Sequence, residues 1–65
     1  MSHDTFGGLL DREKAADYLS TSPRRIDELR RSGKVLATLD GKQWKFTVAD
    51  LERYIRGLKT SAEVA

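Results

Sequence analysis

Ser20-Thr21-Ser22-Pro23 constrains this chain more than any other stretch of it. Proline holds the preceding residue out of helical geometry, so a helix cannot run through Ser22. Ser22 is a strong N-cap, because its hydroxyl can accept from an orphan N–H of the following turn. Pro23 suits the first helical position, where its missing N–H removes no bond. The four residues therefore end one helix and start another.

Upstream, Asp11 is a good N-cap and Glu13 suits the first turn of a helix over about 12–19. Leu10 stands where it can pack on Ala15 as a weak hydrophobic staple. Ala15, Ala16 and Leu19 form the apolar stripe, with Tyr18 at its edge. Downstream, the second helix covers about 23–32 and stops at Gly33, a natural residue just past a helix end. Ile26 and Leu29 face inward, while Arg24, Arg25, Asp27, Glu28 and Arg31 face mostly outward. Arg30 and Arg31 occupy the last turn, where cations suit the helix dipole. Two short helices joined by roughly four residues describe a helix-turn-helix.

Val35 to Phe46 reads as a β-hairpin. Asp40-Gly41 is a strong type I′ turn signal. With those two residues as the loop, Leu39 faces Lys42, Thr38 faces Gln43, Ala37 faces Trp44, Leu36 faces Lys45 and Val35 faces Phe46. Val35, Ala37, Trp44 and Phe46 then share one face directed at the helices. Two strands alone are marginal in water, so the hairpin has to lean on the helical core. A third helix starts at Thr47, with Asp50 at N3, and Val48, Leu51, Ile55 and Leu58 recur at helical spacing as its buried face. Tyr54 extends that face, and Gly57 weakens the helix near its end.

The expected core is Leu10, Ala15, Ala16, Leu19, Ile26, Leu29, Val35, Ala37, Trp44, Phe46, Val48, Leu51 and Ile55. Trp44 is read as its largest contributor and the anchor of the wing rather than a base-stacking residue, so that truncation to Ala costs about 3–5 kcal/mol. These elements define a small α+β fold, a winged helix-turn-helix in the order helix, helix, β-hairpin, helix, over 9–58. A flexible arm over 1–8 precedes it and a flexible tail over 59–65 follows.

Composition narrows the function. The 65 residues include no Cys and one His, His3, so neither a disulfide nor a structural zinc site is expected. No apolar run reaches membrane-spanning length and no signal peptide is visible, which points to the cytoplasm. Charge is unevenly spread. Residues 1–23 set Arg12 and Lys14 against Asp4, Asp11, Glu13 and Asp17. Residues 24–45 set Arg24, Arg25, Arg30, Arg31, Lys34, Lys42 and Lys45 against Asp27, Glu28 and Asp40. Residues 46–65 balance. A basic centre of this kind is a candidate phosphate-facing surface, or an ordinary solvated one. Asp11, Glu13 and Asp17 have no nucleophile or metal set beside them, and Tyr18 and Tyr54 read as packing residues, so no catalytic residue and no cofactor is expected.

The run from Leu10 to Leu19, then Ser22-Pro23-Arg24-Arg25-Ile26, Leu29, Arg31-Ser32-Gly33-Lys34-Val35, Trp44-Lys45-Phe46 and Val48 to Ile55, resembles the excisionase-like DNA-binding family. That family is related to the winged helix-turn-helix of MerR-type regulators. The likeness covers about residues 9–57. The family usually carries a longer or basic residue where Pro23 stands, and Asp27-Glu28 is an acidic pair inside the presumed reading helix. The resemblance implies a recombination directionality factor in a bacterial host cell. Such a protein binds repeated sites in attachment-site DNA, associates with itself cooperatively there, bends the DNA and assists a phage integrase. A small transcriptional regulator is the alternative, and a protein-interaction module built on Arg53, Arg56 and Lys59 of the third helix is another.

The second helix supplies the candidate reading residues: Ser22, Pro23, Arg24, Arg25, Glu28 and Arg31. Arg24 and Arg25 can bond guanine bidentately or clamp a phosphate. Glu28 can accept from cytosine or steer a neighbouring Arg; its plainer role is an i,i+3 or i,i+4 ion pair. Ser22 is first a cap. The wing and backbone candidates are Lys34, Thr38, Lys42, Gln43 and Lys45, with Lys42 nearest the tip. No small-molecule ligand is expected.

Overall fold

The computed structural model describes residues 8–64. His3, Phe6 and nearly all of the expected arm lie outside them. The order is α1 (Arg12–Tyr18), α2 (Pro23–Arg31), β1 (Thr38–Asp40), β2 (Gln43–Lys45), α3 (Val48–Arg56) and a single turn, α4 (Ser61–Val64). This is the small α+β winged helix-turn-helix, with one further turn in the stretch read as a tail. Thr60 and Glu63 close that turn reciprocally: each side chain accepts from the other's backbone N–H.

The starts of α1, α2 and α3 follow from their caps. Asp11 Oδ1 accepts from the N–H of Lys14 at 2.8 Å, Ser22 Oγ from that of Arg25 at 3.2 Å, and Thr47 Oγ1 from that of Asp50 at 3.1 Å. Each such cap contributes about 1 kcal/mol. The ends of α1 and α2 share one device. Thr21 N–H donates to Ala16 C=O and Ser20 N–H to Asp17 C=O; Lys34 N–H donates to Leu29 C=O and Gly33 N–H to Arg30 C=O. These are paired Schellman bonds, which require a left-handed residue just past the helix. Gly33 supplies it without strain at φ +80°; Ser20 supplies it at φ +56°. That left-handed serine makes the sharp turn between the two helices.

The core is Leu10, Ala15, Ala16, Ile26, Leu29, Val35, Phe46 and Leu51, all expected to be buried. Leu19, Ala37, Val48 and Tyr54 pack against it, half-buried. Two expectations for α3 fail: Ile55 is 39% exposed and Leu58 51%. Leu51 and Tyr54 take the inward positions, so the packed stripe is turned toward Tyr54 and away from Ile55.

The hairpin is shifted by one residue at its turn. Thr38 pairs with Lys45, Leu39 with Trp44 and Asp40 with Gln43, leaving Gly41-Lys42 as the loop. Gly41 has φ +64°, and Lys42 is not among the residues with positive φ. The reason is stereochemical. A type I′ turn over Asp40-Gly41 needs two left-handed residues, whereas a II′ turn needs only the first, and Gly41 fills it. Phe46 does not oppose Val35. Its N–H and C=O both pair with Leu10, at 2.8 and 2.7 Å, so the entry to α1 is pinned to the strand leaving the wing.

Trp44 therefore sits nearer the tip than expected and is not a core anchor. It is 42% exposed, beside an exposed Leu39. It shares the inward face with Phe46, but stands outside the buried core. The strands pack on each other far more than on any helix.

Candidate nucleic-acid interface

The helix-turn-helix puts the first turn of α2 at the surface. The capped Ser22 and the proline after it fix where that turn begins, so Arg24 and Arg25 project from a rigid start. The Arg24 side chain is 89% exposed. Both arginines are held by one acid. Glu28 lies 3.8 Å from Arg24 Nε and 3.4 Å from Arg25 Nη1, one helical turn away in each case. Exposed pairs of this kind are worth at most about 1 kcal/mol, so a phosphate or a base edge can displace them. Ser22 is exposed and Pro23 half-buried.

Asp27, the other acid on α2, bonds away from this turn. Its carboxylate meets Arg12 of α1 at 3.2 Å. The acidic pair of the reading helix is thus consumed inside the protein, and neither carboxylate stands unpaired before an approaching duplex.

Arg31, Lys34 and Lys42 are exposed and take part in no ion pair among the described residues. Lys42 is part of the two-residue loop at the tip of the wing. Gln43 and Thr38 are exposed on the hairpin strands. Lys45 is half-buried and meets Asp40 at 3.6 Å, so it is tied along the hairpin rather than directed outward. Ser22, Pro23, Arg24, Arg25 and Glu28 gather at the start of α2, Arg31 stands at its far end, Lys34 follows in the connection, and Thr38, Lys42, Gln43 and Lys45 belong to the wing. This is the division of a winged helix-turn-helix that reads a groove with a helix and follows the backbone with a hairpin.

In the sequence Arg30 reads as a dipole partner and one charge of the basic centre. It does more: its guanidinium carbon lies 4.9 Å from the centroid of the Trp44 ring. A signal was present. Arg30 is four residues after Ile26 and adjoins Leu29, placing it on the edge of the buried stripe, where its stem can pack.

Among the described residues there is no group of three or more His, Cys, Asp or Glu placed to hold a metal. No helix there is long and apolar enough to cross a membrane.

The fold and this surface define a winged helix-turn-helix, a class of DNA-binding domain. A family model described as a helix-turn-helix domain matches residues 9–59, and the chain belongs to that family. No curated protein and no solved structure matches it.

Proposed function

We propose that this chain binds duplex DNA as an excisionase-type accessory factor, placing the first turn of α2 in the major groove and the wing along the flanking backbone. The observation that carries the reading is the pair Arg24 and Arg25, exposed on a capped helix start and restrained only by Glu28. Ser22, Pro23, Arg24, Arg25, Glu28 and Arg31 form the helix side of the contact. Lys34, Thr38, Lys42 and Gln43 form the wing and backbone side, with Lys45, held by Asp40, behind them. The protein performs no chemistry. It binds neighbouring repeats in attachment-site DNA, several copies cooperating through small contacts and shared deformation, and the bent product assists an integrase. One module of this size buries limited surface on DNA, so adjacent copies are what raise the affinity.

The test is selection of bound duplexes, followed by gel-shift and bending assays on the recovered sequence. Repeated sites, stepwise cooperative shifts and a bent product are expected. A single palindrome bound by a preformed tight dimer without bending would replace this reading with that of a small transcriptional regulator. Binding to a protein that is insensitive to salt, with no duplex bound, would replace it with an interaction module.

A further inference from the structure

Few ties join the wing to the helix it works beside. The backbone bonds after α2 hold Lys34 and Val35, before the strands begin. Among the described residues no hydrogen bond or ion pair runs from β1 or β2 to α2. Between the wing, the start of α1 and the middle of α2 lies an open cleft, walled by Arg12 and Asp27 on one side and by Gln43 and Trp44 on the other. What spans from α2 to the wing is the Arg30 guanidinium over the Trp44 ring.

The surroundings of Arg30 favour a built contact over an incidental one. Its Nε is enclosed and has no hydrogen-bond partner. An enclosed polar nitrogen without an acceptor is unfavourable. The face of an indole is the strongest aromatic partner for a cation, and it offsets that loss. Trp44 in turn is a large apolar side chain left 42% exposed, and Arg30 covers a face of it. Each residue is unfavourably placed without the other.

From this we infer that Arg30 is a positioning residue for DNA contact: stacked on Trp44, it clamps the wing at a fixed angle to α2. The inference rests on the DNA-binding reading for its consequence, though not for the clamp itself. Arg30 need touch no nucleotide. By holding Trp44 it sets how far the wing-tip Lys42 stands from the arginines at the start of α2. It thereby decides whether helix and wing engage one duplex together. A wing free to swing would order only on binding, and that entropy would be charged against every wing contact.

Two measurements test this on the full chain. The first uses no DNA. Backbone order parameters for residues 38–45 should fall from about 0.85 in the native protein to below about 0.6 in Arg30→Met, which keeps an apolar stem, while the helices hold their values. Trp44→Leu should do the same from the other side, and Arg30→Lys should restore much of the order. Unchanged order in both Arg30→Met and Trp44→Leu, with the fold intact by circular dichroism, overturns the clamp.

The second is a double-mutant cycle on non-specific duplex. Lys42→Gln should weaken binding about five-fold near 0.15 M salt, the loss of one phosphate contact. In the Arg30→Met background the same change should cost less than about two-fold, because a loose wing no longer holds that contact. Equal losses in both backgrounds overturn the positioning role. A native chain that binds no duplex defeats the DNA reading and with it the consequence, while the order parameters still decide the clamp.

Discussion

The hydroxyl of Tyr18, at the end of α1, donates to the carboxylate of Glu52 in α3. The two lie 34 positions apart in sequence, and their bond ties the first helix of the helix-turn-helix to α3. It also gives the fold a sensitivity to alkali. The phenol is raised above its ordinary value of 10.0, first by that bond, then by desolvation and by the negative charge of Glu52. A raised folded value means the stabilisation is complete below about pH 10 and is lost as pH climbs through the folded value. Tm should therefore fall more steeply above pH 10 in the native chain than in Tyr18→Phe, where the ionising group is gone. Parallel curves through that range would show that the bond contributes nothing. The site is exposed, so the effect is small.

Ser20 carries a second cost. A left-handed residue other than glycine is disfavoured by about 1–2 kcal/mol, and glycine returns part of that gain as backbone entropy. Ser20→Gly should stabilise the domain by roughly 0.5 kcal/mol, raising Tm by about 2–4 °C. Gly33→Ala, at φ +80° in the matching motif after α2, should destabilise it, since the position is open but left-handed. Thermal melting of both variants checks the pair, and a lower Tm for Ser20→Gly would contradict the reading of the turn.

The two aromatics of β2 and its extension should now separate. Phe46 is 1% exposed, and Phe46→Ala should cost about 3–5 kcal/mol by leaving a cavity. Trp44 is half in solvent, so Trp44→Ala should cost only about 1–2 kcal/mol, lost packing with no cavity. Denaturant melts of the two variants decide the order. A larger loss at Trp44 would restore it as the core anchor that alternation suggested.

That reversal shows which information was local. Caps at Asp11, Ser22 and Thr47 could be read because each is a bond between residues three apart. The eight core residues could be read because burial repeats with helix and strand period. The hairpin register could not, because Asp40-Gly41 and Gly41-Lys42 both offer a glycine to the turn and only the number of left-handed positions separates them. Nor could the bonds Arg12–Asp27 and Tyr18–Glu52, or the Leu10–Phe46 pairing, since each depends on where distant segments meet. That Ser22, Pro23, Arg24, Arg25 and Glu28 lie together at the start of α2 was legible from the cap and the proline. The pairing of the two arginines with Glu28 was legible only as an option of helical spacing.

Glu28 gives the sharpest test of how that set works. It holds Arg24 and Arg25 at once, so it steers both arginines and also lowers the positive potential they present. Removing an arginine that reads a base should relax specificity by roughly 1–3 kcal/mol, with a much smaller loss on scrambled duplex. Lys42→Ala should weaken both duplexes alike and reduce the salt slope by about one ion. Glu28→Gln separates the two effects, because it keeps shape and removes charge. Binding to scrambled duplex should tighten by about three-fold as a negative charge leaves the surface. Binding to the selected duplex should gain less, so the ratio between them falls, because the arginines lose the acid that orients them. Competition binding on both duplexes at two salt concentrations measures all of these. Equal gains on both duplexes for Glu28→Gln would reduce Glu28 to a screening charge, and equal losses for Arg24→Ala and Arg25→Ala would reduce the arginines to phosphate contacts.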